Sequence, residues 1–473
     1  MRARRALAST RRRGGAMTIE SDLGPKLPVI GKRARERFAY DMRSVGELSD
    51  DGRVVPIEGG HYNSTRAGML REWQRHFEDL ESQVTTICAK LRGFFPYDTL
   101  SLRLTAGLLS STANAGPRSS IQVNTGTASI TGRLNYASVN YLQKVDALVH
   151  EGLWRGDAAE AFQREYVYAL GQANALHTGY SWALAVIVQM FHEGLVSLGK
   201  DLNNIVDACI GRLPSGSTWQ GEGASNLSYA SLAAGAMSLI PFPPLAIPAG
   251  IVSLGAGIAG TWLGLNTPDA GPNHQPWPIE GDSAIEILAA THRAINGVDE
   301  AMNQIDSRIS QVIDGYLDNP DGFADPDLEV QNPSLPTWTS KIESGQPGPI
   351  DQNPLLVPVR DLYHAGYTVL PGFAQETEAA AGICGTARLD SNLGELYPRS
   401  VGNYEAARAR LERILSETSD TAYAVGAKLV TMVDNFEMTD AENAELIRQT
   451  AELTVPVPRS ESTQDPDPVY RAF

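Results

Sequence analysis

The chain has 473 residues, 42% of them apolar, and carries a formal net charge of −16 with a pI near 5.0. That length suggests about two to four domains and is ample for a buried core. The acidic balance argues against nucleic-acid binding, which needs a basic footprint. Three cysteines, Cys88, Cys209 and Cys384, lie far apart and show neither a disulfide framework nor a metal-ligand spacing. Each falls on or beside an apolar helical face, where reduced cysteine behaves as a small hydrophobe.

Residues 1–59 are expected to be mostly disordered. Arg2, Arg4, Arg5, Arg11, Arg12 and Arg13 occur with no acid before Glu20. No apolar h-region follows them, so neither a Sec signal peptide nor a paired-arginine signal is expected. Met17 as the true start and a disordered basic arm are two open readings of this stretch.

From 63 to 95 the chain reads as an amphipathic helix, with Met69, Leu70, Trp73, Phe77, Leu80, Val84, Ile87, Leu91 and Phe94 at three- and four-residue steps. Asn63, Ser64 or Thr65 can cap it, and Pro96 stops it. Leu100 to Leu109 suggests a short helix. Residues 121–130 alternate around an Asn-Thr-Gly turn, which suggests a small β-hairpin.

The segment Leu153-Trp154-Arg155-Gly156-Asp157-Ala158-Ala159-Glu160-Ala161-Phe162 sits between two helix-patterned stretches. Leu142, Val145, Leu148 and Val149 precede it at helical spacing, while Phe162, Tyr166, Ala169, Ala173 and Leu176 continue one apolar face after it. Gly156 is expected to supply a tight turn, and Asp157 with Glu160 a capping box. Trp154 would plug the end of a helical hairpin. No proline occurs from 118 to 213, so the second helix is expected to be long.

A run of 46 residues from Gly223 to Pro268 carries no charged side chain. Within it an apolar hairpin is expected over 228–265, turning at Pro241, Pro243, Pro244 and Pro248 and rich in small residues that include Gly250, Gly255, Gly257, Gly260 and Gly264. Each arm is at or below the ~17 residues that a membrane-spanning helix needs. Gly260 and Gly264 permit close helix contact in lipid or in protein. Burial inside protein, burial in a homo-oligomer and insertion into a membrane therefore all stay open.

Ser283 with Glu286 forms a capping box that opens a return helix through Ile285, Leu288, Ile295, Val298, Met302, Ile305 and Ile309, expected to pack back along the long second helix. Residues 319–354 form a Pro-rich linker. A C-terminal helical unit over 355–453 shows patterns at about 358–384, 402–435 and 440–453, the last capped by Thr439 with Glu442. A disordered tail, 454–473, follows. The fold expected is mainly α: an elongated helical bundle with a Trp-x-Gly hairpin, an apolar hairpin tip and a second, C-terminal helical hairpin.

The string around Trp154, Gly156, Ala158 and Phe162 resembles the Trp-x-Gly family of actinobacterial type VII (ESX) secretion substrates. The order of Trp-x-Gly, long helix, uncharged small-residue hairpin and return helix over 60–318 is similar to the EspA/EspE family. The C-terminal unit resembles EspC along Ala424-Val-Gly426-Ala-Lys-Leu429 and then Phe436-Glu-Met-Thr-Asp440. In that family a Tyr-x-x-x-Asp/Glu signal follows a helical hairpin and is read by the secretion machinery; here Phe436 stands where the tyrosine would be. The resemblance implies a secretion motif of Trp154, Gly156, Phe436 and Asp440, with Ala158 and Phe162 packing the hairpin. It also implies secreted or envelope-associated localisation and two partners, the type VII machinery and a secretion chaperone.

No catalytic residues, metal or cofactor are expected. His150-Glu151 and His192-Glu193 do not extend into a His-Glu-x-x-His zinc pattern, and no nucleophile elbow or Walker loop occurs. Gly255-Ala-Gly257-Ile-Ala-Gly260 matches a dinucleotide fingerprint but lacks its strand–helix–strand context. The expected role is non-enzymatic, through assembly or partner binding, with membrane insertion or pore formation by 228–265 as the alternative.

Overall fold

The computed structural model describes residues 18–57, 64–110, 127–154, 159, 162–213, 279–317, 328–330 and 359–437. Of these, 84% are helical and 2% are strand, so the chain is mainly α. In chain order the elements are α1 (Ile19–Leu23), α2 (Leu27–Met42), β1 (Gly46–Leu48), β2 (Val54–Pro56), α3 (Ser64–Gly93), α4 (Thr99–Leu109) and α5 (Ile130–Ala137). A π-helical turn (Ser138–Leu142) leads into α6 (Gln143–His150), and a second (Gln163–Val167) leads into α7 (Tyr168–Arg212). The rest are α8 (Ala284–Leu317), α9 (Val359–His364), a third π turn (Ala365–Val369), α10 (Leu370–Thr386), α11 (Leu393–Leu396) and α12 (Ser400–Glu437).

Two compact units partition the chain, and both are discontinuous in sequence: residues 1–132, 178–325 and 383–411 form one, and residues 133–177, 326–382 and 412–473 the other. This differs from the serial division expected at 60–318 and 355–453. The physical reason is pairing. The expected N-terminal and C-terminal parts each bury part of their apolar surface against the other, so contacts do not follow sequence order.

In the first unit, residues expected to be disordered are ordered. Thr18 caps α1 by accepting the Ser21 N–H at 3.1 Å. In α2, Leu27, Ile30, Ala34, Phe38 and Met42 recur at three- and four-residue steps and are all buried. They pack on α3, where Phe38 lies 5.3 Å from Trp73 and 5.5 Å from Phe77, ring centre to ring centre. Arg35 grips Glu81 of α3 with two bonds of 2.7 Å. The antiparallel pair β1–β2 turns at Gly52, whose φ of 79° suits glycine.

Helix α8 starts as its sequence directs. Ser283 Oγ accepts the Glu286 N–H at 3.3 Å, while the Glu286 carboxylate takes the Asp282 and Ser283 N–H groups at 2.8 and 3.3 Å. Asp41 of α2 adds a cap from outside, accepting the Ala284 N–H at 3.0 Å. Helix α8 then packs on α3 and α2. It also runs antiparallel along α7: Cys209 lies beside Thr291, and at Gly194 an added Cβ would stand 4.0 Å from Ile305.

Gly194 is needed for another reason, because an added Cβ there would overlap the buried Tyr397 hydroxyl. All three cysteines are buried and free. Burial pushes the Cys209 thiol up to about 11, which keeps it protonated and inert at neutral pH.

The N-terminus of α12 is capped across the unit by a carboxylate. Asp306 of α8, 1% exposed, accepts the Ser400 Oγ–H at 2.6 Å and the backbone N–H groups of Ser400 and Arg399 at 2.9 and 3.2 Å. A negative charge on free N–H donors is favourable at this end of a helix.

The second unit contains four helical segments: α5–α6, the first turns of α7, α9–α10 and the later turns of α12. Helix α5–α6 runs antiparallel to α7, with Asp146 bonded to Gln163 at 2.7 Å and the Leu134 carbonyl to Asn174 at 3.1 Å. Helix α9–α10 runs antiparallel to α12, with Tyr363 bonded to Asp434 near one end and the Ala374 carbonyl to Ser419 at 2.9 Å further along. Arg133 pairs with Glu376 at 2.8 Å and joins the two pairs. The proposed β-hairpin at 121–130 lies largely outside the described residues. Ile130, at its end, begins α5 behind Ser129, whose hydroxyl accepts the Gly132 N–H at 3.1 Å.

Candidate functional site

The candidate site is the Trp154 end of the second unit. Helix α6 stops because Gly152 adopts a φ of 70°, which lets its N–H bond the Val149 carbonyl at 3.0 Å and the Trp154 N–H bond the Leu148 carbonyl at 2.7 Å. The glycine expected to make the turn, Gly156, lies outside the described residues, as do Asp157, Ala158 and Glu160. The sequence signal for this helix end is His150-Glu-Gly152, a glycine just past the last helical residue.

With the chain reversed there, Trp154 is 1% exposed. Its ring centre lies 5.4 Å from that of Phe162, which in turn stacks on Tyr166 at 5.4 Å. Around this aromatic row sit Val145 of α6, Leu170 of α7, Leu362 of α9, Phe373 of α10, and Val425, Leu429 and Val433 of α12, with Leu148 and Val149 packed against them. The site is therefore built from all four segments. The indole Nε1 is buried without a hydrogen-bond partner among the described residues.

Two contacts hold the C-terminal pair of helices together near this end. The Tyr363 hydroxyl donates to the Asp434 carboxylate. One turn on, the helix backbones touch: a Cβ on Gly366 would stand 2.9 Å from the Gly426 carbonyl oxygen, and one on Gly426 would stand 2.8 Å from that of Gly366. Only glycine at both positions permits this approach. Gly366 belongs to the third π turn, and a Cβ at Gly372 would overlap the ring of Tyr141, which lies in the first.

Helix α12 ends at Glu437, so the backbone of Phe436 stands in its last turn, three residues beyond Val433. Asp440, Thr439 and the expected helix 440–453 lie outside the described residues, and so do the hairpin 228–265 and its glycines Gly250, Gly255, Gly257, Gly260 and Gly264. Among the described helices, α7 is long and apolar enough to cross a membrane. Some 61% of its most apolar window is buried within the protein, the pattern of a core helix.

His150 is exposed, and His192 Nδ1 lies 3.3 Å from its neighbour Glu193. His177 is wholly buried, and its Nε2 lies 2.7 Å from the Leu328 carbonyl oxygen. Nothing in a helical heptad announces such a contact, because its partner comes from a linker 151 residues away.

No family model, no curated protein and no solved structure matches the chain.

Proposed function

We propose that the chain is a non-enzymatic helical protein exported by a type VII (ESX) secretion pathway, acting through assembly or partner binding at the cell envelope or outside the cell. One observation carries the reading. Trp154 is buried at the reversal between two antiparallel helices, in one apolar cluster with the last turns of α12. The two stretches that resemble EspA/EspE and EspC are thus packed together at the end where Trp154 and Phe436 belong to neighbouring segments. Covalent connection makes that docking effectively intramolecular. The type VII machinery is the partner expected to read Trp154, Gly156, Phe436 and Asp440, and a secretion chaperone is the partner expected to shield the uncharged hairpin before export.

Phe436 keeps an aromatic surface but has no hydroxyl to donate, so recognition here rests on ring packing and the Asp440 charge. Export of the double variant Phe436→Ala, Asp440→Ala is compared with wild type, with its fold checked first by circular dichroism. Its amount in culture filtrate is expected to fall at least tenfold against wild type at equal cellular level. Equal export of both forms would remove these two residues from the signal.

A second reading is favoured by the 46-residue uncharged run alone. In it, the 228–265 hairpin enters a bilayer as part of an oligomer, because each arm by itself is short for a span. Dye release from anionic and zwitterionic liposomes at neutral and acidic pH is then expected, and retention of dye under all these conditions would remove it.

A further inference from the structure

Between α8 and α9 the described chain includes three residues, Leu328, Glu329 and Val330, and each is held on the four-helix unit. Leu328 is 1% exposed, and its carbonyl accepts the His177 Nε2–H at 2.7 Å. The Glu329 carboxylate takes the Arg413 guanidinium of α12 at 3.0 Å. Val330 packs against the Trp154 cluster. A Pro-rich linker would need none of these contacts to act as a tether. The geometry is that of a fastening.

The fastening turns on one proton. A carbonyl oxygen only accepts, so Nε2 carries the hydrogen, and Nδ1 presents a bare lone pair with no partner among the described residues. A second proton has to enter at Nδ1, where it would place a full charge in a wholly buried ring. Burial accordingly holds the His177 ring down to about 4, with the Leu328 carbonyl opposing.

The charged groups on the adjoining elements do not relieve it. Glu329 on the strap is paired with Arg413 on α12, and Arg133 on α5 with Glu376 on α10. The Arg413–Glu329 pair is half-exposed on both sides, so it sets register and adds little holding strength.

We propose that Leu328–Val330 is a releasable strap, fastened at His177 and Arg413 and detached by protonation of the buried ring while the four helices stay folded. Undocking lets water reach the ring, where an imidazole titrates near ~6.5. Protons therefore bind the released state more tightly than the docked one, by roughly 300-fold for that difference in affinity. The strap is docked above that range and is released as pH falls toward about 4. It is independent of the export route, because it concerns only how the connection between α8 and α9 is held.

Hydrogen–deuterium exchange on the full chain tests this, with protection over 328–330 normalised at each pH to a free peptide of the same sequence. Wild type is expected to lose protection at least tenfold between pH 7.5 and 4.5, while amides of α5, α7, α10 and α12 stay protected. His177→Gln keeps an N–H donor at the Nε2 position and cannot titrate, so its strap should stay protected at pH 4.5. Loss of wild-type protection only together with the helices, equal loss in His177→Gln, or no loss at all would overturn the proposal. Should His177→Gln fail to fold, ring titration in the wild type followed by NMR decides: the ring must gain its proton over the pH range in which the strap is lost, and a ring that stays neutral through strap release overturns it.

Discussion

Trp154→Ala is expected to destabilise the four-helix unit by about 3–5 kcal/mol, the cost of removing a large buried aromatic whose site cannot fully collapse. The size follows from position. Trp154 is 1% exposed, packs on Phe162 and belongs to an apolar cluster drawn from all four segments, so its removal leaves a cavity within that cluster. A domain with a total stability of ~5–15 kcal/mol loses a large share of it. Trp154→Phe separates packing from chemistry. The indole N–H has no partner among the described residues, so phenylalanine forfeits volume but no hydrogen bond, and is expected to cost less than about 2 kcal/mol. Urea unfolding of both variants checks this, and a Trp154→Phe loss well above about 2 kcal/mol would show that the indole nitrogen is bonded after all. A Trp154→Phe protein that folds yet is not exported would place the role of the indole in recognition.

Asp306→Ala is expected to cost about 2–5 kcal/mol, because it leaves two backbone donors and a hydroxyl at the start of α12 without an acceptor inside the first unit. Only one of the three groups it serves, the Arg399 N–H, belongs to a part-buried contact; the other two are buried. Asp306→Asn retains one acceptor oxygen but turns an amide N–H₂ toward donors, so it should recover no more than about half of the loss. Thermal or urea unfolding measures both. A loss below about 1 kcal/mol for alanine would mean that water or a neighbouring carbonyl caps α12 equally well.

Elements whose information is local were legible in the sequence. The period of Phe77, Leu80, Ile87 and Leu91 gave α3, the Ser283/Glu286 box gave the start of α8, and the long apolar stripe from Tyr404 to Val433 gave α12. The mainly helical character was legible too, from the apolar periodicity on each side of Trp154. Residues 18–56 were not. Their many basic and acidic residues dilute the five-point stripe Leu27, Ile30, Ala34, Phe38 and Met42, and the Asp51-Gly52 turn joins strands of three residues each, too short for an alternating pattern.

What could not be read was long-range. The Asp306 cap, the Gly366–Gly426 contact and the His177–Leu328 bond each join residues 60 or more positions apart, and no local pattern encodes such a partner. The same cause makes each of the two compact units discontinuous in sequence. Three π turns, all in the second unit, also leave no mark in a hydrophobic period, since each adds one residue to a single turn.

The most direct measurement is export of the unaltered chain from two otherwise identical hosts, one with an intact type VII system and one lacking it, with a cytosolic protein as lysis control. The protein should reach the culture filtrate or envelope fraction of the first host and accumulate inside the second. Equal amounts outside both hosts, or retention inside both when the chain is expressed with its genetic neighbours, would contradict the proposed export route.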